Sequence, residues 1–185
     1  KPLINFFHSM GLEIFDCDRV QAQGGSIRVY VGHKNSFKVK NKKILKMIKN
    51  EEKLGLFNIR TFKNYYFRIN YQKNKLNKIL HKFKKKNMKI YGFGAPAKLT
   101  TFSYVFNLKK NLFEAVVDDN KYKQSLYTPG KKIPIISYNK LRERNFDVIL
   151  IFAWNFSSSI ITRLKKDFKK KIKIIVPFPK AKVIN

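Results

Sequence analysis

Residues 88–102 read MKIYGFGAPAKLTTF. The apolar run ends in glycines two apart, Gly92 and Gly94. Pro96 and Lys98 follow, and then Leu99, Phe102 and Phe106 recur on one helical face. A strand that turns through glycine into a helix, with proline at the helix start, opens a parallel α/β unit. The chain beyond it keeps that alternation. LFEAVVDD (112–119) leads through a polar loop to IPII (133–136). A polar helix then precedes DVILIFAW (147–154), and the helix FSSSIITRLKKDF (156–168) precedes IKIIVPF (172–178). Uninterrupted apolar strands belong to sheets covered on both faces. The expectation for 88–185 is an α/β fold, a Rossmann-like parallel sheet with helices on both faces.

Upstream the pattern differs. LEIFDCDRV (12–20) and SIRVYVGH (26–33) alternate apolar and polar residues around QAQGG, as a β-hairpin does. Two strands alone are marginal, so 1–33 reads as the end of a truncated sheet. Residues 34–87 read as a lysine-rich helical connector. Ile44, Ile48 and Leu54 give it a sparse apolar face; Ile69, Leu76, Leu80 and Phe83, with Ile79 beside them, give a better one.

The formal charge of +30 invites a nucleic-acid reading. Against it, only seven of the 41 cations are arginine, the residue that reads phosphates and guanines bidentately. Lys, Asn, Ile and Phe make up nearly half the chain and share AT-rich codons. Runs such as Lys84–Lys86 and Lys169–Lys171 fall at expected helix ends, where cations are favourable anyway. Nucleic acid is therefore not the expected partner. No apolar run approaches the roughly 18 residues of a membrane span. Cys17 is the single cysteine, and no Cys/His spacing suggests zinc. A cytoplasmic setting is the expectation.

In open α/β sheets, ligands bind outside the carboxyl ends of the strands. Four groups of polar or aromatic residues fall there: Gly92–Lys98, Asp118-Asp119-Asn120, Trp154-Asn155 and Pro177-Phe178-Pro179. Gly92 and Gly94 either simply turn the chain or admit a phosphate to the helix N-terminus, with Lys98 adding a point charge. Asp118, Asp119 and Asn120 form either a capped turn or the acid that binds a ribose hydroxyl about 20 residues past a glycine loop. Trp154 is either core packing or a stacking platform, and Asn155 suits the N-cap of the next helix. His8, His33 and His81 stand apart, and no catalytic set is visible. A dinucleotide-binding domain of an oxidoreductase and a basic nucleic-acid module remain the alternatives.

GGSIRVYVGH (24–33), YGFGAPAK (91–98), VVDDNKYKQSLYTPGKKIPI (116–135), AWNF (153–156) and IVPFP (175–179) occur in this order. Together they resemble the C-terminal part of the S-adenosylmethionine-dependent sugar C-methyltransferases, over almost the whole chain. The resemblance implies a transferase acting on a nucleotide-linked keto-deoxysugar. In such an enzyme a base removes a proton beside the keto group and the enolate attacks the cofactor's methyl. It further implies that zinc, S-adenosylmethionine and the catalytic base belong to sequence upstream of Lys1, so that this chain alone holds no cofactor and turns nothing over. By the same resemblance, 12–33 would close the methyltransferase sheet. Gly92, Gly94, Lys98, Asp118, Asp119, Asn120, Tyr127, Trp154 and Asn155 would hold the nucleotide-diphosphate sugar. Gln23, Lys121 and Ser125 depart from the family's usual His, Pro and Gly.

Overall fold

The computed structural model of the chain describes residues 1–168 and 171–185. The chain divides into two compact units, Lys1–Tyr66 and Phe67–Asn185.

In the first unit, helix α1 (Pro2–Ser9) precedes strands β1 (Leu12–Val20) and β2 (Ser26–His33). The strands pair antiparallel, Leu12 opposite His33 and Val20 opposite Ser26, with one register shift between Ile14 and Asp16. Helix α2 (Asn41–Lys53) belongs to this unit. Its Met47 Sδ accepts a hydrogen bond from the buried Cys17 thiol at 3.1 Å. Lys40 and Lys43 donate to the Asp16 carboxylate at 2.6 and 3.0 Å.

Those two lysines, Lys40 first, hold the Asp16 carboxyl down to about 2. A carboxylate depressed in the folded state adds stability above its unfolded pKa and loses it as pH falls through the folded value. Protection of β1 and β2 amides from hydrogen exchange is therefore expected to decline between roughly pH 4, the unfolded carboxylate value, and about pH 2. Asp16→Asn should flatten that decline. An unchanged profile in the variant would show that the pairs do not hold the hairpin.

The second unit is built on a six-stranded sheet. Its strands are β3 (Ile90–Phe93), β4 (Val116–Val117), β5 (Ile135–Ile136), β6 (Val148–Ile151), β7 (Lys173–Val176) and β8 (Lys182–Ile184). The order is β5-β4-β3-β6-β7-β8. All neighbours run parallel except β8, which pairs antiparallel with β7. Side chains alternate across β6: Val148, Leu150 and Phe152 enter one core, Ile149 and Ile151 the other. Helices α4 (Lys98–Val105) and the later turns of α3 (Ile59–Lys85) cover the first face through Leu99, Phe102, Leu76, Leu80 and Phe83. Helices α5 (Tyr138–Arg142) and α6 (Ser157–Asp167) cover the second through Leu141, Ile160 and Leu164. The Rossmann-like expectation is met.

Three details differ from the sequence reading. The lysine-rich segment 34–87 is divided between the units: α2 goes with the hairpin, and the unit boundary falls inside α3. Leu76 and Leu80 are fully buried, so this part of α3 is a sheet-covering helix of the α/β unit. Strand pairing at 133–136 begins only at Ile135, because Pro134 has no N–H to donate; its carbonyl still accepts from Val116 N at 2.8 Å. Strand β8 was not foreseen. Lys84 and Lys85 do lie in the last turn of α3. Of the run Lys169–Lys171, Lys169 and Lys170 lie outside the described residues.

Candidate functional site

Strand order reverses between β3 and β6. The first crossover, through α4, leads to β4 on one side, and the second, through α6, leads to β7 on the other. Such a switch point opens a crevice at the carboxyl ends of the two strands. Here the crevice is a cleft of about 380 Å³. Phe93 and Gly94 line it at the end of β3, Asp118 and Asp119 after β4, and Ala153 after β6. Phe156, Ser159, Ile160 and Arg163 line it from the start of α6.

The glycine loop is held from within. Gly94 has φ +86°, and a Cβ there would stand 2.6 Å from the Ala153 Cβ. Asp118 Oδ2 accepts from Ala95 N at 2.6 Å, and Oδ1 accepts from Asn120 N at 2.9 Å. Lys123 Nζ donates to the Ala95 carbonyl at 2.9 Å and lies 3.9 Å from Asp118. Asp118 is thus a buried brace between the end of β4 and the loop after β3. Asn120 caps the next turn by accepting from Tyr122 N at 3.0 Å.

Asp119 reaches outward and pairs with Arg163, Oδ2 to NH1 at 2.7 Å. The Arg163 guanidinium carbon lies 3.7 Å from the centre of the Tyr138 ring. Tyr138 is fixed in turn: its hydroxyl donates to Asp167 Oδ2 at 2.9 Å, and Arg142 pairs with the same oxygen at 2.8 Å. Burial, then the bond to Asp167, push the Tyr138 hydroxyl up to about 12, so it stays a neutral donor.

The expected site residues therefore separate. Gly94, Asp118 and Asp119 meet at the cleft. Gly92 is internal to β3, where a Cβ would collide with the Phe152 ring. Lys98 lays its ammonium 3.8 Å above the centre of the Trp154 ring, and burial lowers its pKa. Trp154 packs against Phe178 and Phe102, with centroids 4.9 and 5.4 Å away. Asn155 lies inside the short 3-10 turn Trp154–Phe156 and is not the N-cap of α6; that position is Phe156. Tyr127 corrects the expectation of a single cleft. It bridges Pro134 at the start of β5 and borders a different depression with Lys109 and Glu114. Residues just before β4 and β5 lie at the amino ends of parallel strands, opposite the cleft. The sequence reading missed Phe156, Ser159, Ile160 and Arg163. Their spacing of three to four residues was the available signal, since it marks one face of the helix leaving β6.

Fold and cleft together define a Rossmann-like α/β domain. Residues 21–179 match the C-methyltransferase C-terminal domain family, and the chain belongs to it. It is similar to C-methyltransferase NovU of Streptomyces niveus, at 25% identity over 183 residues, covering 99% of this chain and 44% of that protein. The chain thus spans less than half the length of this curated relative. Among the described residues, no helix is long and apolar enough to cross a membrane, and no group of three or more His, Cys, Asp and Glu is placed to hold a metal ion.

Proposed function

We propose that the chain is the nucleotide-sugar-binding C-terminal part of a C-methyltransferase that uses S-adenosylmethionine, acting in the cytoplasm on a nucleotide-linked keto-deoxysugar. One observation carries this reading: the cleft at the switch point, with Asp119 beyond the second strand and Arg163 facing it, in a chain of this family. An acid in that position suits a ribose hydroxyl, and a guanidinium suits a diphosphate. The reading places the methyl donor elsewhere, since Ala153 stands against Gly94 and Asp118 already takes the Ala95 amide of the glycine loop. Methyl donor, zinc and catalytic base are assigned to the rest of the enzyme, which would be this chain's partner.

The test is calorimetric titration of the 185-residue chain with a thymidine-diphosphate hexose, NAD and duplex DNA. Saturable binding of the nucleotide-sugar, with weaker or no binding of the other two, is the expected result. Preference for NAD would favour a redox domain, and preference for DNA a basic binding module. Incubation of the same chain with S-adenosylmethionine and the nucleotide-sugar is expected to transfer no methyl group. Measurable turnover would place the donor site in this chain and overturn the division of labour.

A further inference from the structure

We infer that Asp119 and Arg163 form an exchangeable ion pair that opens to take a nucleoside diphosphate, Arg163 receiving the phosphate oxygens and Asp119 a ribose hydroxyl. The inference rests on the reading proposed above and assigns its binding chemistry to a residue on α6.

Of the two carboxylates at the cleft, Asp118 is committed. Both its oxygens accept backbone amides, and Lys123 stands beside it. Asp119 is 57% exposed and Arg163 41% exposed, and they hold each other in a single contact of 2.7 Å. An exposed pair of this kind shifts an equilibrium by a factor of about five at most. A phosphate group can replace it at little cost, because it accepts two parallel N–H bonds from a guanidinium. The fork is already aimed. Its guanidinium carbon rests 3.7 Å over the Tyr138 ring, itself held by Asp167 and Arg142, and that contact restrains the fork. The two lysines tied to the glycine loop are otherwise engaged: Lys98 lies on Trp154, and Lys123 on the Ala95 carbonyl. Arg163 is the one cation lining the cleft among the described residues. When phosphate draws Arg163 away, Asp119 is left as a free acceptor at the end of the second strand, where a ribose hydroxyl is recognised. Each ligand group thus replaces one side of the resting pair.

The experiment titrates the full chain and its variants with thymidine diphosphate and with inorganic pyrophosphate. Arg163→Lys keeps the charge but loses the planar fork, and should weaken thymidine diphosphate about tenfold, the loss of one charge-assisted hydrogen bond. Lys82→Ala, on α3, should change nothing beyond the salt dependence. Asp119→Asn should affect the two probes in opposite senses. Pyrophosphate should bind several-fold more tightly, because Arg163 no longer has a competing carboxylate. The preference for thymidine diphosphate over pyrophosphate should narrow, because the hydroxyl acceptor is weakened. If the wild-type chain binds thymidine diphosphate and Arg163→Lys binds it equally well, the inference falls while the nucleotide-sugar reading stands. If the wild-type chain binds neither thymidine diphosphate nor its hexose, both fall. Should Arg163→Lys not fold, the Asp119→Asn comparison decides alone: an unchanged preference between the probes overturns the inference.

Discussion

Gly94→Ala is expected to destabilise the α/β unit by about 2–6 kcal/mol, the sum of a left-handed backbone strain and an overpacked contact. Gly94 has φ +86°, and the new Cβ would meet the Ala153 Cβ at 2.6 Å and the Ala153 nitrogen at 3.2 Å. Neither neighbour can swing aside. One is a stub on the backbone and the other is backbone, directly after β6. A domain's whole stability is about 5–15 kcal/mol, so the loss would be a large share of it. Gly130→Ala supplies the comparison within the same unit. It has φ +72°, and its nearest obstacle is the Tyr104 hydroxyl at 2.5 Å. Tyr104 is 56% exposed, and its ring contact with the Lys131 ammonium, 4.3 Å away, is weak enough to let it rotate, leaving mainly the backbone term of about 1–3 kcal/mol. Urea denaturation of both variants measures the difference. Equal losses would mean that the close approach of the loops after β3 and β6 does not constrain Gly94.

Asp118→Ala should cost about 2–4 kcal/mol and loosen the cleft wall, because it leaves two amide donors without their acceptor and Lys123 without its neighbouring carboxylate. The carboxylate now takes Ala95 N at 2.6 Å and Asn120 N at 2.9 Å, with Lys123 at 3.9 Å. Asp118→Asn keeps one acceptor oxygen but turns an NH2 toward the other amide, so an intermediate loss is expected. Hydrogen exchange distinguishes bracing from general packing. The Ala95 and Asn120 amides should lose protection in Asp118→Ala before the central strands do. If all three exchange together, or if Asp118→Ala melts with the wild type, Asp118 is not the brace.

The parallel sheet was legible because its strands are apolar on both sides and its helices supply matching stripes. The run from Val148 to Phe152 can only be buried between two layers, and Leu99, Phe102 and Phe106 can only face one of them. Strand β8 was not legible: Lys182–Ile184 is three residues long, with Lys182 and Val183 exposed, too short to show a period. The role of α3 was obscured by its lysines, although the stripe Leu76, Leu80, Phe83 that buries it was recognised. At the site, sequence marked the loop but not its occupants. Whether Gly94 faces a ligand or another loop depends on Ala153, far along the chain and brought close only by the β3–β6 pairing. Lys98 and Arg163 have the same charge on paper. Only side-chain direction separates them, one laid on Trp154 and the other in the cleft. Tyr127 went astray because the loop after β4 doubles back: Leu126 O accepts from Ile135 N at 2.8 Å, so this tyrosine runs beside β5.

The packing of Trp154 has a spectroscopic consequence. It is the chain's single tryptophan, it belongs to the α/β unit, and an ammonium lies 3.8 Å above its ring. A cation so close to the indole face perturbs the excited state, so Lys98→Met should change both emission intensity and wavelength without any added dye. Excitation at the red edge of the protein band then reports on the α/β unit alone, while the first unit, which has tyrosines but no tryptophan, stays dark. Fluorescence and far-ultraviolet dichroism recorded on one denaturation series will therefore trace different transitions if the units melt separately, and superimposable ones if they melt together. The same indole lies one residue from Ala153 of the cleft wall, so it also offers an optical signal for ligand entry.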